Sequence, residues 1–151
     1  MQKNLVAKAT TSIKATRPRV WHALVSPEAI KQYMFGADVE SDWREGSPII
    51  WKGEMKGKSY RDKGVILKLD PDRTLQYSHF SPSSGKPDRP ENYHTVTIDL
   101  SGAGTKTEVS LSQDNNADEK SCRESEKNWE AMLDGLKKCV ESEVQAGGGR
   151  G

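Results

Sequence analysis

The segment from Ala15 to Ile30 reads ATRPRVWHALVSPEAI and contains the start signals of two short helices. Thr16 can cap the first helix, and Pro18 lies in its first turn, where the missing N–H of proline removes no hydrogen bond. A second start signal, Ser26-Pro27-Glu28, follows, and Gly36 is expected to end the helix that begins there. The sequence therefore predicts two short helices in tandem.

Strand patterns lie on both sides of these helices. Residues 5–14 alternate between apolar or small and polar side chains, which is typical of a half-buried strand. Residues 39–112 contain Gly, Pro and Asp clusters that separate segments rich in β-branched and aromatic residues. About six strands are predicted there, and so about seven in total. Residues 82–92, which include three prolines and a glycine, are expected to form an exposed loop.

The period becomes helical from about Asp118 to Val144. The predicted helix has roughly 25 residues and a length of about 37 Å, enough to cross a whole sheet. One apolar stripe runs along it, formed by Trp129, Met132, Leu133, Leu136, Cys139, Val140 and Val144. Residues 1–145 are expected to form a single domain, and the glycine-rich residues 146–151 a flexible tail.

Composition restricts the partners of the chain. The 151 residues include 23 Lys+Arg and 22 Asp+Glu, a formal net charge of +1, which disfavours nucleic-acid binding driven by overall charge. No apolar run approaches the ~18–20 residues that span a bilayer, so stable membrane insertion is not expected. The amino-terminal residues do not resemble a signal peptide. We therefore expect a cytoplasmic protein.

The two cysteines, Cys122 and Cys139, fall on the predicted long helix and would lie about 25 Å apart there. A disulfide needs Cα atoms within about 7 Å, so we expect two reduced thiols. The three histidines do not follow metal-motif spacing, and no metal site or cofactor is predicted. The segment Gly53–Ser59 resembles a phosphate-binding loop, but it has three residues between its glycines instead of four and no helix after it. It is expected to form a hairpin turn.

Two histidines stand out because of the register that their strands suggest. If the strands on either side of the 82–92 loop are antiparallel neighbours, Tyr77 lies opposite Val96 and His79 lies opposite His94. Two facing imidazoles could transfer protons or hold a polar group of a ligand. The alternative is a pair of histidines at the sheet rim that bond to backbone or water. A change of register by one residue would remove the pair.

Six short segments carry a pattern known from a protein family. They are residues 15–24, 27–30, 43–48, 64–71, 105–109 and 128–133. Together with the order of elements, they resemble the helix-grip fold of the SRPBCC superfamily, which includes START-type lipid-transfer domains and polyketide cyclases. More specifically, the chain resembles bacterial members of the family named after the activator of heat-shock protein 90 ATPase. The resemblance covers roughly residues 5–144, but this superfamily uses one fold for many ligands and reactions.

The resemblance implies an α+β fold in which a curved antiparallel sheet grips the long helix, with a cavity between them. Inward positions would be Trp51, Met55, Val65, Leu67, Leu75, Tyr77, His79, His94, Val96, Ile98, Trp129, Met132, Leu133 and Leu136. All of these except Val65, Leu75 and Ile98 are the candidate ligand-binding residues. No catalytic residue set is shared across the family, so none is assigned.

Three functions compete at this point. The first is binding of a small hydrophobic or amphipathic molecule in the predicted cavity. The second is activation of the heat-shock protein 90 ATPase, as a co-chaperone-like partner. The third is a cyclase or hydrolase type of enzyme that uses His79 and His94, although the sequence shows no nucleophile with an adjacent base. A homodimer is a further candidate assembly.

Overall fold

The computed structural model describes residues 5–55, 57–82, 85–102 and 104–148. Seven strands form one sheet within these residues: β1 Leu5–Ile13, β2 Asp38–Ser41, β3 Pro48–Met55, β4 Lys58–Asp70, β5 Thr74–His79, β6 His94–Ser101 and β7 Thr107–Asn116. The α-helices are α1 Arg17–Leu24, α2 Pro27–Tyr33 and α3 Glu119–Gly148, and a short 3₁₀ turn covers Pro90–Asn92. The predicted order of strand, two helices, six strands and long helix is confirmed.

The sheet is antiparallel throughout, in the order β1-β7-β6-β5-β4-β3-β2. Every neighbouring pair except β1 and β7 is consecutive in the chain, so short turns connect most of the sheet. Helix α3 packs mainly against β1 and also contacts α2 and β7. This is the α+β, helix-grip-like arrangement that the resemblance implied.

The two short helices begin where the sequence predicts them. Thr16 is the N-cap residue of α1, although its side chain makes no capping hydrogen bond, and a proline lies in the first turn of each helix. The Ser26 hydroxyl accepts a hydrogen bond from the backbone N–H of Ala29 and so caps α2. Gly36 is in the left-handed region (φ 86°), and its N–H donates to the carbonyl of Lys31 after the helix ends.

The space between the centre of the sheet and α3 is filled by side chains. Leu133, Leu136 and Val140 of α3 are almost fully buried, and Val96 and Leu111 of the sheet are buried among the same group. A gap of only about 20 Å³ remains near Met132, with room for about one water molecule. The apolar stripe predicted for the helix is confirmed as a core face, apart from Val144, whose side chain lies outside the described part.

The predicted inward positions of Val65 and Leu67 are wrong. Their side chains are 38% and 46% exposed, whereas Ile66 between them is completely buried. All three residues are apolar, so the pattern alone does not say which face is inward. A bulge between Ile66 and Lys68 then shifts the register, and Leu69 packs against the core.

Gly64 marks the point at which β4 changes partner. The strand pairs with β3 along Lys58–Val65 and with β5 along Ile66–Asp70. At Gly64 the chain comes so close to β5 that a Cβ atom would lie 1.7 Å from the carbonyl oxygen of Ser78. Only glycine allows this approach, which brings the first half of β4 against the end of β5.

The remaining predictions have mixed outcomes. Helix α3 has 30 residues and extends through residues 146–148, which we expected in the tail, while 149–151 lie outside the described residues. Cys122 and Cys139 both lie on this helix and are not joined in a disulfide. The segment Gly53–Ser59 forms the β3–β4 hairpin turn, with Lys56 outside the described residues. None of the described helices is both long enough and apolar enough to cross a membrane.

Candidate functional site

A pocket of about 570 Å³ opens at one end of the sheet rather than at its centre. The loop between α2 and β2, the facing ends of β3, β4 and β5, and one residue of α3 form its walls. We call it the aromatic pocket, since its lining includes Phe35, Trp51, Tyr60, Asp62, Tyr77, His79 and Trp129. Its volume is within the range of about 300–1,000 Å³ that is usual for small-molecule sites.

Ring contacts fix the floor of the aromatic pocket. The ring centroid of Trp51 lies 5.0 Å from that of Tyr77 and 5.1 Å from that of His79. Trp129 is held from the other side, because its indole N–H donates to the side-chain carbonyl of Gln113 on β7. Burial raises the pKa of the Tyr77 phenol, so this residue is neutral at physiological pH. The floor is therefore an aromatic surface held by ring contacts and by the hydrogen bond of Trp129.

One carboxylate lies within this apolar lining. Asp62 is directly opposite Trp51 in the β3–β4 register, and its Oδ2 lies 3.0 Å from Nε2 of His79. A carboxylate only accepts hydrogen bonds, so the His79 nitrogen is the donor. The other oxygen, Oδ1, is buried and has no hydrogen-bond partner among the described residues. Asp62 was not predicted as a site residue.

The register predicted for the two histidines is confirmed. His79 is opposite His94, and Tyr77 is opposite Val96. The two imidazole centroids are 6.3 Å apart. Nδ1 of His94 lies 2.9 Å from the backbone carbonyl oxygen of Asp114, so Nδ1 carries the proton in that bond. His94 thus fits the rim alternative considered above, whereas His79 bonds to a carboxylate; proton transfer between them stays a prediction.

A second cavity, of about 750 Å³, adjoins the aromatic pocket at His79 and Ser81. We call it the polar cavity, and His94 lines it. The side-chain amides of Asn92, Asn115 and Asn116 also line it, and they donate to backbone carbonyl oxygens at 2.7–3.0 Å. These amides hold the surrounding loops together, so they are already occupied. The aromatic pocket is the one of the two that is lined mainly by aromatic side chains.

The candidate residues separate into four groups. Trp51, Tyr77, His79 and Trp129 line the aromatic pocket, and His94 lines the polar cavity. Val96, Met132, Leu133 and Leu136 are buried in the core. Leu67 is on the opposite face of the sheet, as described above. The side chain of Met55 lies outside the described part of the structure. Which of these residues contact a ligand stays a prediction.

Sequence reasoning missed Phe35, Tyr60 and Asp62. Tyr60 and Asp62 share the parity of the buried Ile66, and this was the available signal for placing them inward. Phe35 follows α2 and is 68% exposed, with a left-handed backbone (φ 57°). No periodic pattern marks a residue of this kind.

The described residues contain no group of three or more His, Cys, Asp or Glu side chains arranged to hold a metal ion.

Comparisons with known proteins agree on a family and a fold. The family model of Activator of Hsp90 ATPase homolog 1-like protein matches residues 14–141. A comparison with curated proteins found no match.

Solved structures give three informative neighbours. The solution structure of ChR145 from Cytophaga hutchinsonii is similar at 56% identity and TM-score 0.83, over 96% of this chain and 99% of that one. NE0264 from Nitrosomonas europaea has 17% identity and TM-score 0.74, over 93% and 97% of the two chains. The Aha1 dimer from Colwellia psychrerythraea has 20% identity and TM-score 0.69, over 90% and 96%. The last two likenesses concern the fold alone.

Proposed function

The chain belongs to the family of Activator of Hsp90 ATPase homolog 1-like proteins, and from this premise we propose that it binds a small hydrophobic or amphipathic molecule in the aromatic pocket. The observation that carries the proposal is the pocket itself, about 570 Å³ with Trp51, Tyr77 and Trp129 in its lining. Such a surface gains free energy from apolar contact with a ring system. Asp62 and His79 supply a few polar groups that would orient the molecule.

Titration with a panel of lipids, isoprenoids and aromatic compounds tests this proposal. Trp51 and Trp129 line the pocket, so binding should change the intrinsic tryptophan fluorescence in a saturable manner. Trp129→Phe should reduce the amplitude of that change. The matched control is Trp21→Phe, since Trp21 is a buried residue of α1 that does not line the pocket. A panel without any saturable response would contradict the proposal.

A second candidate function is activation of the Hsp90 ATPase, and the description of the matching family favours it. An ATPase assay with the chaperone of the same organism tests this function. A rate that rises with added protein would support it, and an unchanged rate at saturating protein would remove it.

A homodimer remains a separate proposal about assembly. It draws support from the Colwellia psychrerythraea neighbour, which is described as a dimer. Sedimentation equilibrium of the purified chain would give a mass of about twice 16.8 kDa if the proposal is right, and the monomer mass otherwise.

A further inference from the structure

The buried oxygen Oδ1 of Asp62 is an exception in this structure. Of the buried side-chain nitrogen and oxygen atoms in the described residues, it is the one without a hydrogen-bond partner. Buried polar atoms in folded proteins nearly always have partners, and a carboxylate oxygen is among the costliest to leave without one. The residue nevertheless lines the aromatic pocket, with 18% of its side chain exposed.

We propose that Asp62 selects the polar group of the ligand and that this group is a hydrogen-bond donor, a hydroxyl carried by a ring system. The inference rests on the proposed function and names the class of molecule that the aromatic pocket takes. A ligand hydroxyl would donate to the carboxylate and supply the missing hydrogen bond. Carboxylates and phosphates would be disfavoured, since their charge repels that of Asp62.

The two basic side chains of the pocket, His79 and Lys58, agree with this choice. Nε2 of His79 already donates to Asp62, so it is not available to an anionic ligand. Lys58 also lines the pocket, but it is an exposed residue at the start of β4. Its ammonium group is therefore hydrated and attracts an anion only weakly. Of these two charged groups, the Asp62 carboxylate is therefore the more buried.

The walls of the pocket determine the rest of the ligand. Trp51 and Tyr77 are in ring contact with each other, and Trp129 is fixed through Gln113. Rigid aromatic walls favour a flat ring in offset or edge-to-face contact over a flexible chain. Because Oδ1 is closed to bulk solvent, the proposal includes a rotation of the Asp62 side chain that brings Oδ1 to the ligand hydroxyl.

Three compounds with one ring system test the proposal on the unmodified protein by isothermal titration calorimetry. They are 2-naphthol, 2-methoxynaphthalene and 2-naphthoate. The methyl ether keeps the oxygen acceptor but lacks the donor, and the naphthoate carries a negative charge. We expect 2-naphthol to bind at least about tenfold more tightly than either of the other two.

The outcomes separate this inference from the proposed function. Equal affinity for naphthol and its methyl ether would overturn the inference while leaving ligand binding intact, and so would a preference for naphthoate. If none of the three compounds binds and no compound of the fluorescence panel gives a saturable response, both the inference and the proposed function are contradicted.

Asp62→Asn tests the residue itself. The amide removes the negative charge and adds a hydrogen-bond donor. The ratio of the affinity for 2-naphthol to that for 2-methoxynaphthalene should therefore fall toward one, and the affinity for 2-naphthoate should rise. A purely structural role would weaken all three compounds alike and leave the ratios unchanged. Asp42→Asn, at an exposed position outside the pocket lining, is the matched control and should retain the wild-type ratios.

Discussion

Phe35 combines two unfavourable features, an exposed apolar side chain and a left-handed backbone. Three other residues that are not glycine have positive φ, namely Trp43, Asp72 and Asn115. Asp and Asn tolerate this conformation, and Trp43 packs against the core. Phe35 is not a residue type that tolerates this conformation and is not packed against the core, but it lines the aromatic pocket. Backbone strain of this kind is often retained for function.

We therefore predict that Phe35→Gly weakens binding of 2-naphthol by about two- to tenfold, the usual contribution of one aromatic contact. The free energy of unfolding should stay within about 1 kcal/mol of wild type, because relief of strain offsets the added freedom of the unfolded chain. Calorimetric titration and urea denaturation measure the two quantities.

Trp43→Gly is the contrasting variant for this prediction. It relieves the same backbone strain but removes a side chain that packs against the core, and we expect a loss of about 2 kcal/mol or more. A Phe35→Gly variant that binds 2-naphthol as tightly as wild type would show that Phe35 does not contribute to ligand binding.

Gly64 places Asp62 beside His79. We predict that Gly64→Ala lowers the free energy of unfolding by about 3 kcal/mol or prevents folding, because its Cβ atom would collide with the backbone of Ser78. Gly57→Ala, at φ 79° and with nothing within 4 Å of the added atom, should cost only about 1 kcal/mol. Urea denaturation compares the two variants, and equal losses would contradict the close approach.

For some of these residues the sequence correctly predicted the face of the sheet and the cross-strand partner. The reason lies in the pattern of apolar residues in each strand. In β5 and β6 the apolar residues occupy one parity only, so the pairing of His79 with His94 followed from the alternation. In β4 the apolar run 65–67 covers both parities, and Leu67 was placed on the wrong face. The contact of Asp62 with His79 accompanies the close approach of Gly64 to Ser78, which alternation does not reveal.

At the scale of elements, a charged pair of α3, Lys137 and Glu141, contacts the end of β1: the Lys137 ammonium donates to the carbonyl of Ser12, and Glu141 bonds to Lys14, the residue directly after the strand. Oε2 of Glu141 accepts hydrogen bonds from the Lys137 ammonium at 2.7 Å and from the backbone N–H of Lys14 at 2.9 Å. These bonds hold the pKa of the Glu141 carboxyl below its usual value, with the Lys137 bond the larger cause. The ionised form is therefore favoured in the folded state.

This depression of the pKa predicts a stability difference that depends on pH. A carboxyl whose pKa is lower when folded stabilises the protein above its unfolded pKa of about 4.3, and the effect is lost as the pH falls through the folded pKa. Glu141→Gln should therefore lower Tm at pH 7, by an amount that shrinks steadily below about pH 4.3. The difference should be small, because the pair is partly exposed.

Thermal denaturation monitored by circular dichroism at several pH values measures this effect. The control is Glu130→Gln, an exposed position on the same helix that should show little change at any pH. A Glu141→Gln difference that is constant from pH 3 to pH 7 would contradict the electrostatic attachment of α3.

The order of elements was predictable because each carries a strong local signal. Proline and serine mark the helix starts, glycine and proline separate the strands, and a clear apolar stripe marks α3. The length of α3 was underestimated, since its last described residues, Ala146–Gly148, have the composition of a linker. Local composition therefore located the elements better than their ends.

At the scale of the whole molecule, the position of the pocket was the part that could not be predicted. The resemblance implied a cavity between the sheet and the long helix. The described side chains fill that space, and only a gap of about 20 Å³ remains there. The open volume lies at the end where Trp129, rather than Leu133 or Leu136, faces the sheet. How far side chains fill a shell depends on packing in three dimensions, which periodicity does not encode.

The central claim is that the aromatic pocket binds a ring-bearing hydroxyl compound. Its most direct test is a titration of ¹⁵N-labelled protein with 2-naphthol, followed through the backbone amide and indole resonances. We predict saturable shifts at Trp51, Tyr77 and Trp129, with smaller shifts for 2-methoxynaphthalene at equal concentration. Resonances that do not move at the solubility limit of the compound, or that move only around Val65 and Leu67 on the opposite face of the sheet, would contradict the claim.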